Sequence, residues 1–343
     1  PAAKTSRVVA GDRLGGALRT AFVYSGNGGH WPGMGQALFA SDRHAAEALD
    51  VIDAAMAPLL GWSPRAAFAS DPSGWDLARI DVIQPLLFAV QAGLTRALAA
   101  RGVIPDMTFG HSIGEVAAAF ACGALSLDEA ALVVATRSML QRESHGQGDM
   151  AVAQLSEKDA LALPEVQSGD LELAAVNSSR YVTLTGKAHA LDAVRAALKK
   201  RRAVFRPLNL HHPFHSQAME MIRDRLLERL TGKLHPHPGH AAFLSTVHGQ
   251  ACPGSVLDAD YWFSNLRKPV RFREAVLAAL DSGARIFVEI GPDALLQPFL
   301  KNCFQERSTT TVSLPSILRG QNDARVADTL WRKVHVHGGR VDL

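Results

Sequence analysis

The sequence predicts an α/β fold: a large subdomain built on a parallel sheet, interrupted by a smaller subdomain of ferredoxin-like type. Three observations lead there. Short apolar runs of strand length alternate with longer helical patterns along most of the chain. Residues 148–210 break that rhythm and read strand, helix, strand, strand, helix, strand. A glycine-flanked serine, Gly110-His-Ser112-Ile-Gly114, stands where a strand turns into a helix.

Taken in order, residues 1–19 are polar and glycine-containing, as expected of a linker. Residues 20–24 form a buried-strand run that Ser25-Gly-Asn-Gly-Gly29 stops sharply. Helical periodicity follows over 42–57 and 84–100, and 105–110 is a second short strand. The next helix opens on Ser126-Leu-Asp-Glu129, where hydroxyl and carboxylate can each satisfy the other's backbone N–H, and runs to Gln141. Inside the insert, 150–155, 171–176, 181–185 and 203–208 read as strands, and 157–166 and 188–200 as helices. Helix and strand alternate again over 270–280, 284–289 and from Asp293 onward.

Composition bounds the function. The 343 residues allow a large core plus a subdomain. With 47% hydrophobic and 20% charged residues, the chain is not disordered, collagen-like or coiled-coil. Net charge is +3, from 36 Lys and Arg against 33 Asp and Glu, too balanced for a surface that tracks nucleic acid. The dense cluster Lys199-Lys200-Arg201-Arg202 ends a helix, where cations suit the dipole; an acidic partner is the sharper reading. No apolar run of membrane-spanning length is read, and no basic-then-apolar leader opens the chain, so no membrane partner is expected. Cys122, Cys252 and Cys303 are too widely spaced for a disulfide framework or a zinc motif, which points to a reduced, cytoplasmic protein. The opening Pro-Ala-Ala-Lys, without an initiator Met, suggests a piece of something larger.

The chemistry centres on Ser112. Flanking glycines permit a sharp turn, leaving the hydroxyl at a helix start where the Ile113 N–H can face a developing oxyanion. The bland alternative is a serine that merely caps a glycine-rich turn. A serine nucleophile needs a base, and the chain has 14 His. His215, in His212-Pro-Phe-His215, stands where the chain re-enters the large subdomain and is the candidate by placement. His235, His237 and His240 lie among Pro and Gly and read as an exposed turn rather than a metal site. Arg137 shares a helix face with Val133, Val134 and Leu140. Such an Arg either snorkels, pairs with a protein carboxylate, or holds a substrate carboxylate in its fork.

Several motifs together give a resemblance to a known family. They are Ser25-Gly-Asn-Gly-Gly-His-Trp-Pro-Gly-Met-Gly35, Gln84-Pro-Leu-Leu, Gly110-His-Ser-Ile-Gly-Glu115, Arg137, His212-Pro-Phe-His215, Asn265-Leu-Arg-Lys-Pro-Val-Arg-Phe272 and Glu289-Ile-Gly-Pro292. From about Thr20 to the C-terminus the chain resembles malonyl-CoA:acyl carrier protein transacylases, and most nearly the acyltransferase domains of type I polyketide synthases. The resemblance implies a large α/β-hydrolase-like subdomain over 20–146 and 212–320, a ferredoxin-like subdomain over 147–211, and linkers at 1–19 and 321–343. It implies a Ser112–His215 dyad with the imidazole oriented by the backbone carbonyl of Asn265, and an oxyanion hole from the N–H groups of Ile113 and Asn27. Arg137 would hold the free carboxylate of the acyl group, and Gln84, His212, Pro213 and Phe214 would line its pocket. No bound cofactor or metal is implied. Malonyl-CoA would be the acyl-CoA substrate, the phosphopantetheine thiol of an acyl carrier protein the acceptor, and an adjacent ketosynthase domain a partner. Excised domains of this type are expected to be monomeric.

Two departures bear on these expectations. Asn27-Gly-Gly-His30 replaces the usual Gln-Gly-Ser-Gln, which matters only if the side chain at position 27 is used. Pro213 stands where malonyl-selective members have Ala, while Phe214 is retained and would crowd an α-methyl branch. One methyl in such a pocket is worth about 1–3 kcal/mol, so methylmalonyl or another acyl unit is the first alternative. A serine thioesterase, with Asp149 or Glu165 as its acid, and a non-catalytic scaffold domain are the readings from other classes.

Overall fold

Strand β1 (Arg19–Tyr24) shows why the sheet sits at the centre of the molecule. Its side chains alternate between two apolar layers, with Phe22 and Tyr24 on one face and Ala21 and Val23 on the other. The computed structural model describes residues 11, 13–15, 18–321 and 324–341. Its remaining strands are β2 (Met107–Gly110), β3 (Asp149–Ala153), β4 (Leu171–Ser178), β5 (Tyr181–Gly186), β6 (Phe205–Pro207), β7 (Ala242–Ser245), β8 (Gln250–Cys252), β9 (Ala284–Ile290) and β10 (Val312–Pro315). Six of them form one sheet in the order β10-β9-β1-β2-β7-β8, parallel except for the hairpin partner β8.

The helices that precede the insert are α1 (Gln36–Ser41), α2 (Arg43–Leu60), α3 (Pro64–Ala69), α4 (Ile80–Ala99), α5 (Gly114–Ala121) and α6 (Leu127–Gln141). Within it lie α7 (Glu157–Leu161), α8 (Pro164–Gln167) and α9 (Ala188–Lys200). After it come α10 (Arg223–Leu230), α11 (Ala259–Arg267), α12 (Phe272–Asp281), α13 (Gln297–Arg307) and α14 (Val326–Val336). Helices α2, α4, α5 and α6 cover one face of the large sheet, and α12 and α13 the other. Ser126 and Glu129 form the reciprocal cap expected at the start of α6.

The insert carries its own antiparallel sheet, in the order β4-β5-β3-β6, with a separate core against α7 and α9. This is the strand order of a ferredoxin-like βαββαβ unit. The helix expected over 157–166 is two short ones, because Pro164 starts α8. The turn between β4 and β5 is tighter than the sequence suggests, since Asn177 and Ser178 belong to β4.

Two expectations fail here. Helix α4 is 20 residues long and apolar enough by length and composition to cross a membrane, contrary to the reading of no span-length run. It is a core helix: 83% of its most apolar window is buried, and Gln91 inside it donates to the carbonyls of Ser25 and Ile290. Residues 321–343 were expected as a linker, but α14 lies within them and buries Val326, Leu330 and Val334 in the main core. Of the linker expected at 1–19, only 11, 13–15, 18 and 19 lie inside the described residues.

Candidate active site

Strand β2 delivers Ser112 into a left-handed backbone conformation, φ 55°, just before α5. A non-glycine residue held there stores about 1–3 kcal/mol of strain, so the surroundings must enforce it. The two motif glycines do so by close approach. A Cβ on Gly110 would meet the Gly114 carbonyl carbon at 2.1 Å, and one on Gly114 would meet the Tyr24 carbonyl oxygen at 2.3 Å. Strand β1, strand β2 and helix α5 therefore touch backbone to backbone, and the serine projects from the turn.

Ser112 Oγ lies 2.8 Å from His215 Nε2. On the far side of the ring, Nδ1 lies 2.9 Å from the carbonyl oxygen of Lys268. A carbonyl only accepts, so Nδ1 carries the proton and Nε2 is left to accept from the serine hydroxyl. Burial, with the nearby His111 and Arg137, pushes the His215 pKa down to about 3, which keeps the ring neutral at ordinary pH. This corrects the expectation for Asn265, whose carbonyl was to orient the histidine. Asn265 is inside α11, whereas Lys268 follows its last turn in extended conformation and presents a carbonyl to the ring.

The Asn265 side chain does different work. Its Nδ2 donates to Glu115 Oε2 and to the Ser112 carbonyl, which leaves Oδ1 to accept from Arg137 Nη1 at 2.7 Å. Arg137 is 1% exposed, and its Nε and Nη2 have no partner among the described residues. Of the three readings of Arg137, snorkelling and direct pairing with a protein carboxylate both fail. Burial lowers its pKa to about 9, partly offset by the charge of Glu115. Burial likewise raises Glu115 to about 7, against the hydrogen bonds it accepts. A guanidinium in this state, cationic and short of acceptors, suits an incoming anion.

Gln84, on α4, donates to Gln141, one turn beyond Arg137 on α6, and its Oε1 is buried without a partner. His212 stacks on Phe214 with ring centroids 4.9 Å apart and 9° between planes, and its Nδ1 meets Ser144 Oγ at 2.9 Å. Burial first, then His145 and His211, lower the His212 pKa to about 4. Pro213 packs beside Gly148 where the chain crosses between subdomains. The glycine-rich loop after β1 abuts the elbow, since a Cβ on Gly26 would meet the His111 carbonyl oxygen at 2.6 Å. Asn27 follows directly; neither its N–H nor that of Ile113 donates to another described residue.

The profile of the acyl transferase domain family matches residues 21–341. The chain belongs to that family. It is 36% identical over 328 residues to polyketide synthase GfsB of Streptomyces halstedii, covering 95% of this chain and 6% of that protein. It is 35% identical over 331 residues to erythronolide synthase EryA2 of Saccharopolyspora erythraea, covering 96% and 9%. The acyltransferase domain from module 8 of the salinomycin polyketide synthase superposes with a TM-score of 0.90 at 33% identity, over 98% of this chain and 80% of that one. A loading acyltransferase from the avermectin synthase gives 0.86 at 32%, over 92% and 99%. The chain thus spans under a tenth of the length of these two synthases.

Within this acyltransferase domain, three contributors escaped the sequence reading. Lys268 acts through its backbone, which has no residue-type signature. His111, whose Nε2 lies 2.9 Å from Asn177 Oδ1, ties the elbow to the insert. Glu115 was visible only as the last letter of a motif. His235, His237 and His240 are exposed, and among the described residues no group of His, Cys, Asp and Glu converges as a metal-ligand set. The Lys268 carbonyl takes the place on His215 Nδ1 that the acid of a hydrolase triad would need, and Asp149 lies instead 3.3 Å from His211.

Proposed function

We propose that this acyltransferase domain transfers a malonyl unit from malonyl-CoA to the phosphopantetheine thiol of an acyl carrier protein, through an acyl-Ser112 intermediate. The observation that carries the reading is the pairing of a Ser112–His215 contact with a buried, under-partnered Arg137. His215 Nε2 takes the hydroxyl proton as Ser112 Oγ attacks the thioester carbonyl. The tetrahedral oxyanion accepts from the Ile113 and Asn27 N–H groups. The C–S bond breaks, His215 returns the proton to the leaving thiol, and CoA departs. In the second half the carrier thiol gives its proton to His215 and its sulfur attacks the ester, and the proton returns to Ser112 as its Oγ–C bond breaks.

Arg137 supplies the choice of acyl group. A malonyl carboxylate gives its free Nε–H and Nη2–H groups their acceptors, while acetyl leaves them unpaired. The same carboxylate offsets one of the charges that depress His215, so the right substrate also strengthens the base. Phe214, fixed by its stack on His212, favours malonyl over methylmalonyl. The structure of the acyltransferase domain of SpnD in complex with 2-(pent-4-yn-1-yl)malonyl, similar to this chain at TM-score 0.83 and 26% identity, supports a malonyl-type unit on this fold. An acidic carrier suits the exposed Lys199–Arg202 cluster at the end of α9. A ketosynthase neighbour and a cytoplasmic setting, the latter in keeping with three free cysteines, complete the reading. Brief mixing with competing acyl-CoA donors and intact-mass analysis tests it: malonyl on Ser112 is expected, and an acetyl adduct in its place overturns the role given to Arg137.

A further inference from the structure

A cleft of about 120 Å³ opens between the two subdomains, with Asn27 and His111, the residue preceding Ser112, on one side. The insert furnishes the other wall, and pairing register orders its residues. Thr183 on β5 pairs with Val152 on β3, and Val152 pairs with Arg206 on β6, so these side chains share one face of the small sheet. Asn177, two residues beyond Thr183's register partner Ala175 on β4, joins the row diagonally through its hydrogen bond to Thr183, and its Oδ1 meets His111. The row therefore starts beside the nucleophile and crosses the whole sheet to its edge strand. Three strand spacings make that crossing about 14 Å. An extended phosphopantetheine arm, at peptide-like rise per three bonds, is roughly 15 Å from sulfur to phosphorus.

The lining matches that arm in kind as well as length. Leu208, Leu295 and Phe299 offer apolar surface to its methylene and gem-dimethyl groups, and the buried, unpartnered Asn27 Oδ1 can accept from an arm amide. Arg206 is the one Lys, Arg, Asp or Glu side chain lining the cleft, and it makes no ion pair or side-chain hydrogen bond among the described residues. We propose that Arg206 is a binding residue for the phosphate of the phosphopantetheine arm, presented in turn by acyl-CoA and by the carrier. This rests on the acyl-transfer reading above and adds a residue to it. The competing role is that of a charged residue on an edge strand, which would deter strand pairing and touch no substrate.

Two donors that differ only in the phosphate decide the matter: malonyl-4′-phosphopantetheine and malonyl-pantetheine, each assayed with wild type, Arg206→Ala and Arg206→Lys. Loss of an exposed charge-assisted contact is expected to raise KM for the phosphorylated donor about three- to tenfold in Arg206→Ala with kcat little changed. Arg206→Lys should recover part of that loss, and malonyl-pantetheine should show no difference among the three proteins. Varying holo-carrier against free pantetheine as acceptor shows whether the carrier's arm uses the same residue; a matching rise in KM for holo-carrier supports that, and its absence limits the site to the donor. Equal changes with both donors, or none with either, overturn the proposal while leaving acyl transfer intact. A wild-type protein that transfers malonyl from neither donor overturns the acyl-transfer reading itself.

Discussion

Arg137 Nη1 lies 2.7 Å from Asn265 Oδ1, and this is the one hydrogen bond its buried guanidinium makes among the described residues. The Asn265 amide cannot turn round without cost. Its Nδ2 already serves Glu115 and the Ser112 carbonyl, so a flip would set two donors facing each other at Arg137. The fork is thus held with its remaining N–H groups open. Arg137→Ala should lower kcat/KM for malonyl-CoA by 100-fold or more, on the scale of about 3 kcal/mol for a lost charged hydrogen bond in a buried site. Acetyl transfer should fall far less. Comparable losses for the two acyl groups would show that Arg137 is structural only.

On the proposed mechanism, Arg137 also shifts the acid limb of catalysis. His215 must be neutral to accept a proton, and its pKa is depressed to about 3 by burial first, then by His111 and Arg137. Taking away the arginine charge removes one of the lowering causes, so the folded-state pKa rises and the fraction of neutral His215 at acid pH falls. In Arg137→Ala, the acid limb of kcat/KM for acetyl transfer should therefore move to higher pH. A limb that stays in place, or moves down, would deny the coupling.

His215 is oriented by a backbone group, and that has a simple consequence. Lys268→Ala keeps the carbonyl at 2.9 Å from Nδ1 and should leave kcat within about twofold of wild type. His215→Ala should lose several orders of magnitude. A large loss in Lys268→Ala, in a protein that unfolds at the wild-type temperature, would mean the side chain is used.

On the proposed reading, selectivity at the α-carbon rests on Phe214. Its ring is 2% exposed and clamped by His212, itself held by Ser144. Phe214→Ala should raise the methylmalonyl-to-malonyl ratio of kcat/KM roughly tenfold, the lower part of the range for one methyl group. Ser144→Ala, which frees His212, should shift the ratio the same way by less. An unchanged ratio in both variants would place the α-substituent elsewhere.

What the sequence disclosed was local and periodic. The elbow was legible because Gly110 and Gly114 are needed where three backbone segments meet, and glycine is the residue that permits it. Helix α9 was legible at both ends because its apolar face recurs at helical spacing and cations end it. The rest lay in long-range or backbone relationships. The Lys268 carbonyl carries no residue-type signal, and Asn265 could be read from a motif while its partners, 128 and 153 residues away, could not. Strands β7, β8 and β10, of three or four residues each, were not read, whereas β2, equally short, was marked by the glycine elbow that follows it. Helix α14 was mistaken for a linker because its apolar stripe alternates with polar residues and is explained only by the core it covers.

Intact-mass analysis after brief exposure to malonyl-, methylmalonyl- and acetyl-CoA in competition tests the central claim most directly, with Ser112→Ala as the blank. The expected result is a malonyl adduct on the wild type that the blank lacks. An adduct that persists in Ser112→Ala, or a folded wild type that takes up no acyl group from any donor, would contradict it.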